Sequence, residues 1–159
     1  ISTAGIANKI PEAANEIGTY LALSLHAPTD DIREMIMPIN KKFKIKDLIE
    51  QCKYYSSIVK EKITLEYVML RDINDSIRCA KQLIKLMAQF PCKVNLIEFN
   101  PWPGVQYLPT ERNKMEEFGK IIQEAGYIAT IRRSRGQDIL GACGQLRTES
   151  EKKKKNIII

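Results

Sequence analysis

Cys143 lies in the stretch Arg132-Arg133-Ser134-Arg135-Gly136-Gln137-Asp138-Ile139-Leu140-Gly141-Ala142-Cys143-Gly144-Gln145-Leu146, a Gly/Ala-rich turn that follows three arginines. Guanidinium groups oppose the cost of forming a thiolate, which is the reactive form of cysteine, and small neighbours let a bulky partner approach the sulfur. The setting suits a nucleophilic thiol beside an anionic substrate. A free cysteine in a basic loop, without chemistry, is the alternative these residues leave open. Arg132, Arg133 and Arg135 have the planar donors that bind phosphate, although strand alternation would send some of them to opposite faces. Surface ion pairing is the competing role. His26 is the chain's only histidine, and without further information it reads as a hydrogen-bonded residue at a strand end. Phe99, Trp102 and Tyr107 could stack on a base or simply pack.

The elements that must position these groups alternate. Tyr20 to His26, Lys62 to Leu70, Lys93 to Phe99 and Tyr127 to Arg132 are short apolar runs expected as four strands. Between them, Ile45 to Val59, Asp75 to Phe90 and Thr110 to Ala125 carry apolar residues at spacings of three and four, such as Ile77, Ala80, Leu83, Ile84 and Met87. Asp75 or Ser76 can cap the second helix, Thr110 with Glu111 can open the third, and Gly126 can close it. This order implies an α/β fold with parallel strands, right-handed crossover helices and function at the carboxyl ends of the strands. Ser24, His26, Asn100 and Cys143 all fall at or beyond such ends. The proline-rich stretch Asn100 to Pro109 reads as a loop over them.

A chain of 159 residues with 44% hydrophobic and 28% charged residues is expected to form one ordinary soluble domain. No segment reaches membrane-spanning length and no charged-then-apolar leader opens the chain, so the expectation is a cytoplasmic protein with no membrane partner. Cys52, Cys79, Cys92 and Cys143 lack any C-x-x-C spacing, which argues against a zinc site or a disulfide framework. Net charge is +6, of which half comes from Glu151-Lys152-Lys153-Lys154-Lys155. That run is expected to be a solvated, disordered tail over 148–159, appended to a body over 1–147.

The string R-R-S-R-G-x-D-I-x-x-A-C-G-Q-L resembles the C-terminal signature of the RlmN family, radical S-adenosylmethionine enzymes that methylate adenine C2 in RNA. Further segments resemble the same family in the same order: Ile1-Ser2-Thr3-Ala4-Gly5-Ile6, Leu23-Ser24-Leu25-His26-Ala27-Pro28, Met37-Pro38-Ile39-Asn40, Glu66-Tyr67-Val68-Met69-Leu70 with Asn74-Asp75-Ser76, and Val94-Asn95-Leu96-Ile97-Glu98-Phe99-Asn100-Pro101. The R-R-S-R-G run is lacking in the related Cfr-type enzymes, which methylate C8, so the resemblance is to the C2 branch. Asp72 departs from it, standing where a glycine usually precedes the N-D turn, and Glu98 replaces a common proline.

The resemblance implies that the chain is the C-terminal part of a partial (β/α)6 barrel. It implies S-adenosylmethionine as cofactor, held by Ser2, by Ser24, Leu25 and His26, and by Asn100, with Cys143 as the methyl-carrying cysteine. Adenine C2 is electron-poor, so polar methyl transfer is unfavourable. The family first methylates its cysteine and then passes the carbon to the base by radical addition. It implies 23S rRNA and tRNA as substrates, with Arg132, Arg133 and Arg135 as candidate RNA contacts, and a reductant such as flavodoxin. The family's C-x-x-x-C-x-x-C loop for a [4Fe-4S] cluster is absent from this sequence, as is its second reactive cysteine. The expectation is therefore a chain inactive alone: one half of an enzyme completed by a separate N-terminal chain, or an inactive fragment of a split or decayed gene.

Overall fold

The computed structural model describes residues 1–16 and 18–132. Arg133, Arg135, Cys143 and the lysine-rich tail lie outside the described residues. Five strands, β1 (Ser2–Thr3), β2 (Ala22–Ser24), β3 (Ile63–Met69), β4 (Cys92–Glu98) and β5 (Ala129–Arg132), form one sheet, parallel at every pairing and ordered as in the chain. Five α-helices are interspersed: α1 (Ile10–Glu16), α2 (Asp30–Ile36), α3 (Ile45–Val59), α4 (Ile77–Met87) and α5 (Arg112–Glu124).

Sequential order with crossovers of one hand places the helices on one side of the sheet. Burial records this directly. Along β3, alternate residues are fully buried and their neighbours only half-buried. The row Leu23, Leu65, Val94 and Ala129, aligned across β2 to β5, faces the helices. Against it pack Leu48, Cys52 and Tyr55 of α3, Leu83 and Met87 of α4, and Phe118 and Ile122 of α5. The rings of Tyr67 and Phe118 meet at 5.5 Å. Parallel sheets are ordinarily covered on both faces; among the described residues no helix covers the second face of this one, which gives it the form of a barrel wall seen from inside.

The expected α3 coincides with the observed one, and β3, β4, α4 and α5 fall within the predicted stretches or one residue beyond them. Among the described residues the sheet has five strands rather than four, because the two-residue β1 has no periodicity of its own and exists through pairing with Ala22 and Leu23. Ser76 caps α4, its hydroxyl accepting from the Cys79 amide at 3.2 Å. Thr110 does not cap α5: its hydroxyl donates to Asp75 at 3.0 Å, tying the loop after β4 to the one after β3. Gly126, at φ +89°, ends α5 as expected, its amide donating to Gln123. The stretch Asn100 to Pro109 is a loop, with Pro109 bridged to Leu70 beyond the end of β3. Among the described residues no helix is long and apolar enough to cross a membrane.

Candidate functional site

The helix-free face carries a polar row. Register aligns Ser24 of β2, Glu66 of β3, Asn95 of β4 and Thr130 of β5. At the ordinary strand spacing, that row spans roughly 14 Å. Ser2, paired with Ala22, lies on the same face one row earlier, and Arg132, opposite Ile97, one row later. The side chains interlock: Asn95 Nδ2 donates to Glu66 Oε1 at 3.1 Å, and Thr130 Oγ1 donates to Asn95 Oδ1.

The segment leaving β2 is bent by its neighbours. The amides of Leu25 and His26 both donate to the Glu66 carbonyl, at 3.1 and 3.2 Å. His26 takes the left-handed conformation, φ +58°, which a side chain with a Cβ adopts only when held there. What holds it is β3. The Val68 amide donates to His26 Nδ1 at 3.1 Å, and Asn74 Nδ2 donates to the His26 carbonyl at 2.8 Å. With Nδ1 accepting, the neutral ring carries its proton on Nε2. Burial, together with the nearby Arg33 charge and against a smaller opposing contribution from the Glu66 carbonyl, lowers its pKa to about 4. His26 is a neutral donor at physiological pH.

Arg33 joins the segment after β1 to the one at the end of β2, which the sequence places twenty residues apart. Fully buried, it donates from Nη2 to the carbonyls of Ala4 and Ser24, from Nε to that of Leu25 and from Nη1 to Asn40 Oδ1, at 2.9 to 3.1 Å. Asn40 in turn donates to Asp30 Oδ1 at 2.9 Å, which brings a carboxylate charge near the guanidinium without direct contact. Gly5 makes room for this arrangement. A Cβ there would stand 2.7 Å from Arg33 Nη2, and its φ of +96° already excludes most side chains. Arg33 escapes sequence reading because a lone arginine in a short helix looks like a surface residue. Asn40 and Asn74 sat in quoted motifs, but nothing local announced their partners.

Asn100 follows β4, half-buried, at the same end of the sheet as His26. Beside it, Phe99 meets Trp102 and Tyr107 edge to face, with centroids 5.5 and 6.4 Å apart. These aromatics pack on one another, leaving Trp102 exposed. A groove of about 460 Å³ opens elsewhere, on the helix side, against Pro28, Ile45, Ile49, Lys53 and Leu86.

The chain is 50% identical over 156 residues to the dual-specificity RNA methyltransferase RlmN of Rhizobium meliloti (strain 1021) and 50% identical to that of Agrobacterium fabrum, in each case covering 98% of this chain and 38% of the relative. Along nearly its whole length the chain is similar to the C-terminal portion of RlmN proteins. It spans under two fifths of the length of these relatives, in their C-terminal portion. A crystal structure of a radical SAM methyltransferase from Sphaerobacter thermophilus superposes with a TM-score of 0.87 at 39% identity, over 91% of this chain and 42% of that one. A domain of a pyruvate-formate lyase-activating enzyme from Bacteroides vulgatus shares the fold alone, with a TM-score of 0.66 at 12% identity, over 82% of this chain and 78% of that one. No family model matches the chain.

On the helix-free face two serine hydroxyls and a carboxylate stand beside apolar Val68 and Ile97, and together with the neutral imidazole just beyond β2 these groups fit a nucleoside-bearing cofactor. The described residues do not fit an iron–sulfur cluster. No group of three His, Cys, Asp or Glu side chains converges among them. Cluster ligands are thiolates, whereas Cys52, Cys79 and Cys92 are buried, and burial pushes the thiols of Cys52 and Cys92 up to about 12.

Proposed function

We propose that this chain is the portion of an RNA methyltransferase that holds S-adenosylmethionine and carries the methyl group, acting on adenine C2 in 23S rRNA and tRNA. Identity of about 50% to RlmN proteins along nearly the whole chain carries the reading. The polar row on the helix-free face supports it. When bound, the cofactor supplies the methyl group and the radical chemistry that an electron-poor carbon requires. Ser2, the Ser24-Leu25-His26 segment and Asn100 hold that cofactor. Ser24 and Ser2 offer hydroxyls, His26 offers an N–H at Nε2, and the fixed turn at Leu25–His26 keeps these groups in register. Cys143 takes a methyl group as a thioether and passes its carbon to the base. Arg132, Arg133 and Arg135 contact RNA phosphates.

The chain spans 38% of the length of its relatives, and no cluster-ligand group converges among the described residues, so the cluster and the second cysteine are assigned to sequence outside these 159 residues. The test is methyl transfer from labelled S-adenosylmethionine to RNA adenine under reducing anaerobic conditions, with and without a co-expressed N-terminal portion of an RlmN protein. Transfer only in the combined sample, lost in Cys143→Ala, is the expected result. No transfer in a folded, cluster-containing complex would make the chain an inactive relic.

A further inference from the structure

Glu66 has one carboxylate oxygen accounted for and one not. Oε1 accepts from Asn95 at 3.1 Å, while Oε2 is shielded from solvent with no hydrogen-bond partner among the described residues. No lysine or arginine forms an ion pair with it in the described structure. Native proteins pair nearly all buried polar atoms, and a charged acceptor left unpaired is among the costlier exceptions. The surroundings hold the group in place. Asn95 is itself held by Thr130, so the carboxylate is braced from the β4 side and faces β2. There Ser24 is its aligned neighbour, about 4.8 Å away at the backbone.

We infer that Glu66 is a ligand-binding residue whose Oε2 accepts a hydrogen bond from a hydroxyl or amino group of the nucleoside held on the helix-free face. Asn95 and Thr130 are the positioning residues that aim it. The inference rests on the reading that a nucleoside-bearing cofactor occupies this face. A group that touches Ser24 is one strand spacing from Glu66, so a single ribose or base edge reaches both. Carboxylates suit this task because each oxygen accepts without needing a donor of its own, and ribose hydroxyls are recognised this way in other nucleotide sites. Vicinity to a convergent metal set does not compete, since none forms among the described residues.

Binding of S-adenosylhomocysteine to the 159-residue chain, followed by calorimetry, tests the inference with Glu66→Gln, which keeps an oxygen for Asn95 but turns an N–H₂ toward the ligand. A hydrogen bond to a charged acceptor predicts affinity weakened about 10- to 100-fold, at an unchanged melting temperature. Two further probes locate the donor: an analogue without ribose hydroxyls and one without the 6-amino group. The loss on Glu66→Gln should vanish for one of them and persist for the other. Asn95→Ala should weaken binding in the wild-type background and have no effect in Glu66→Gln, a non-additivity that general loosening of the fold would not produce. Wild-type binding with unchanged affinity in Glu66→Gln would overturn the role of Glu66 and leave the cofactor reading standing. A loss that persists for both analogues would place the donor off the nucleoside and overturn the inference as well. No binding by the wild-type chain would overturn the cofactor reading, and the inference with it.

Discussion

The Val68 amide donates to His26 Nδ1 at 3.1 Å, so β3 fixes both the position and the tautomer of the ring that follows β2. Protonating Nδ1 would set a donor against a donor, in a site already hostile to charge. The folded pKa of His26 lies at about 4, below an ordinary 6.5. Between those values the unfolded chain binds the proton and the folded chain does not, so stability rises with pH across that window. The full contribution is present above pH 6.5 and is lost as pH falls through 4. It amounts to about 3 kcal/mol by linkage. Denaturation at pH 4.5 and pH 7 should show this slope in wild type and lose it in His26→Gln, and the imidazole NMR signals should remain those of a neutral ring down to pH 5.

Arg33→Met should destabilise the chain by about 3 kcal/mol, because it strips donors at once from the buried carbonyl of Leu25 and the part-buried bonds to Ala4 and Ser24. Gly5→Ala should cost about 2 kcal/mol, combining an unfavourable left-handed backbone with the 2.7 Å approach to Arg33. In the Arg33→Met background the second component is relieved. Urea titrations of the four proteins should therefore give a double-mutant cycle in which the two costs add to less than their sum.

Asp72→Gly should stabilise the chain by about 1 kcal/mol, read as a higher melting temperature. Asp72 sits at φ +58°, a conformation that glycine adopts without strain. Its exposed contact with Lys114, at 3.4 Å, is the only cost of replacement, and Lys114 keeps Asp75 at 3.1 Å.

Alkylation with iodoacetamide at pH 8 should spare Cys52, Cys79 and Cys92 in the native chain. Cys52, Cys79 and Cys92 are buried, and the thiols of Cys52 and Cys92 are pushed up to about 12 by desolvation. Peptide mass mapping of native and denatured samples should show these three modified only after unfolding. Modification of any of them in the native chain as fast as in the denatured one would contradict the buried placement.

Local pattern was enough to place α3, β3 and β4, because each buries a face large enough to impose its own period on the sequence. The parallel order followed from the alternation of those elements, and the family motifs stood in the string itself. The seven-residue α1 and α2 and the two-residue β1 were not legible, since elements so short carry too few turns or alternations to show a period. The alternation in Ile63-Thr64-Leu65-Glu66-Tyr67-Val68-Met69 marks Glu66 as facing away from the core. That it shares a row with Ser24, Asn95 and Thr130 is a matter of strand register, which joins residues from 29 to 42 positions apart and is set by packing of the opposite face. The same holds for Arg33. Its guanidinium is tolerable in the interior only because backbone carbonyls from two separate segments and the Asn40 side chain converge on it, and convergence of that kind has no signature along the chain.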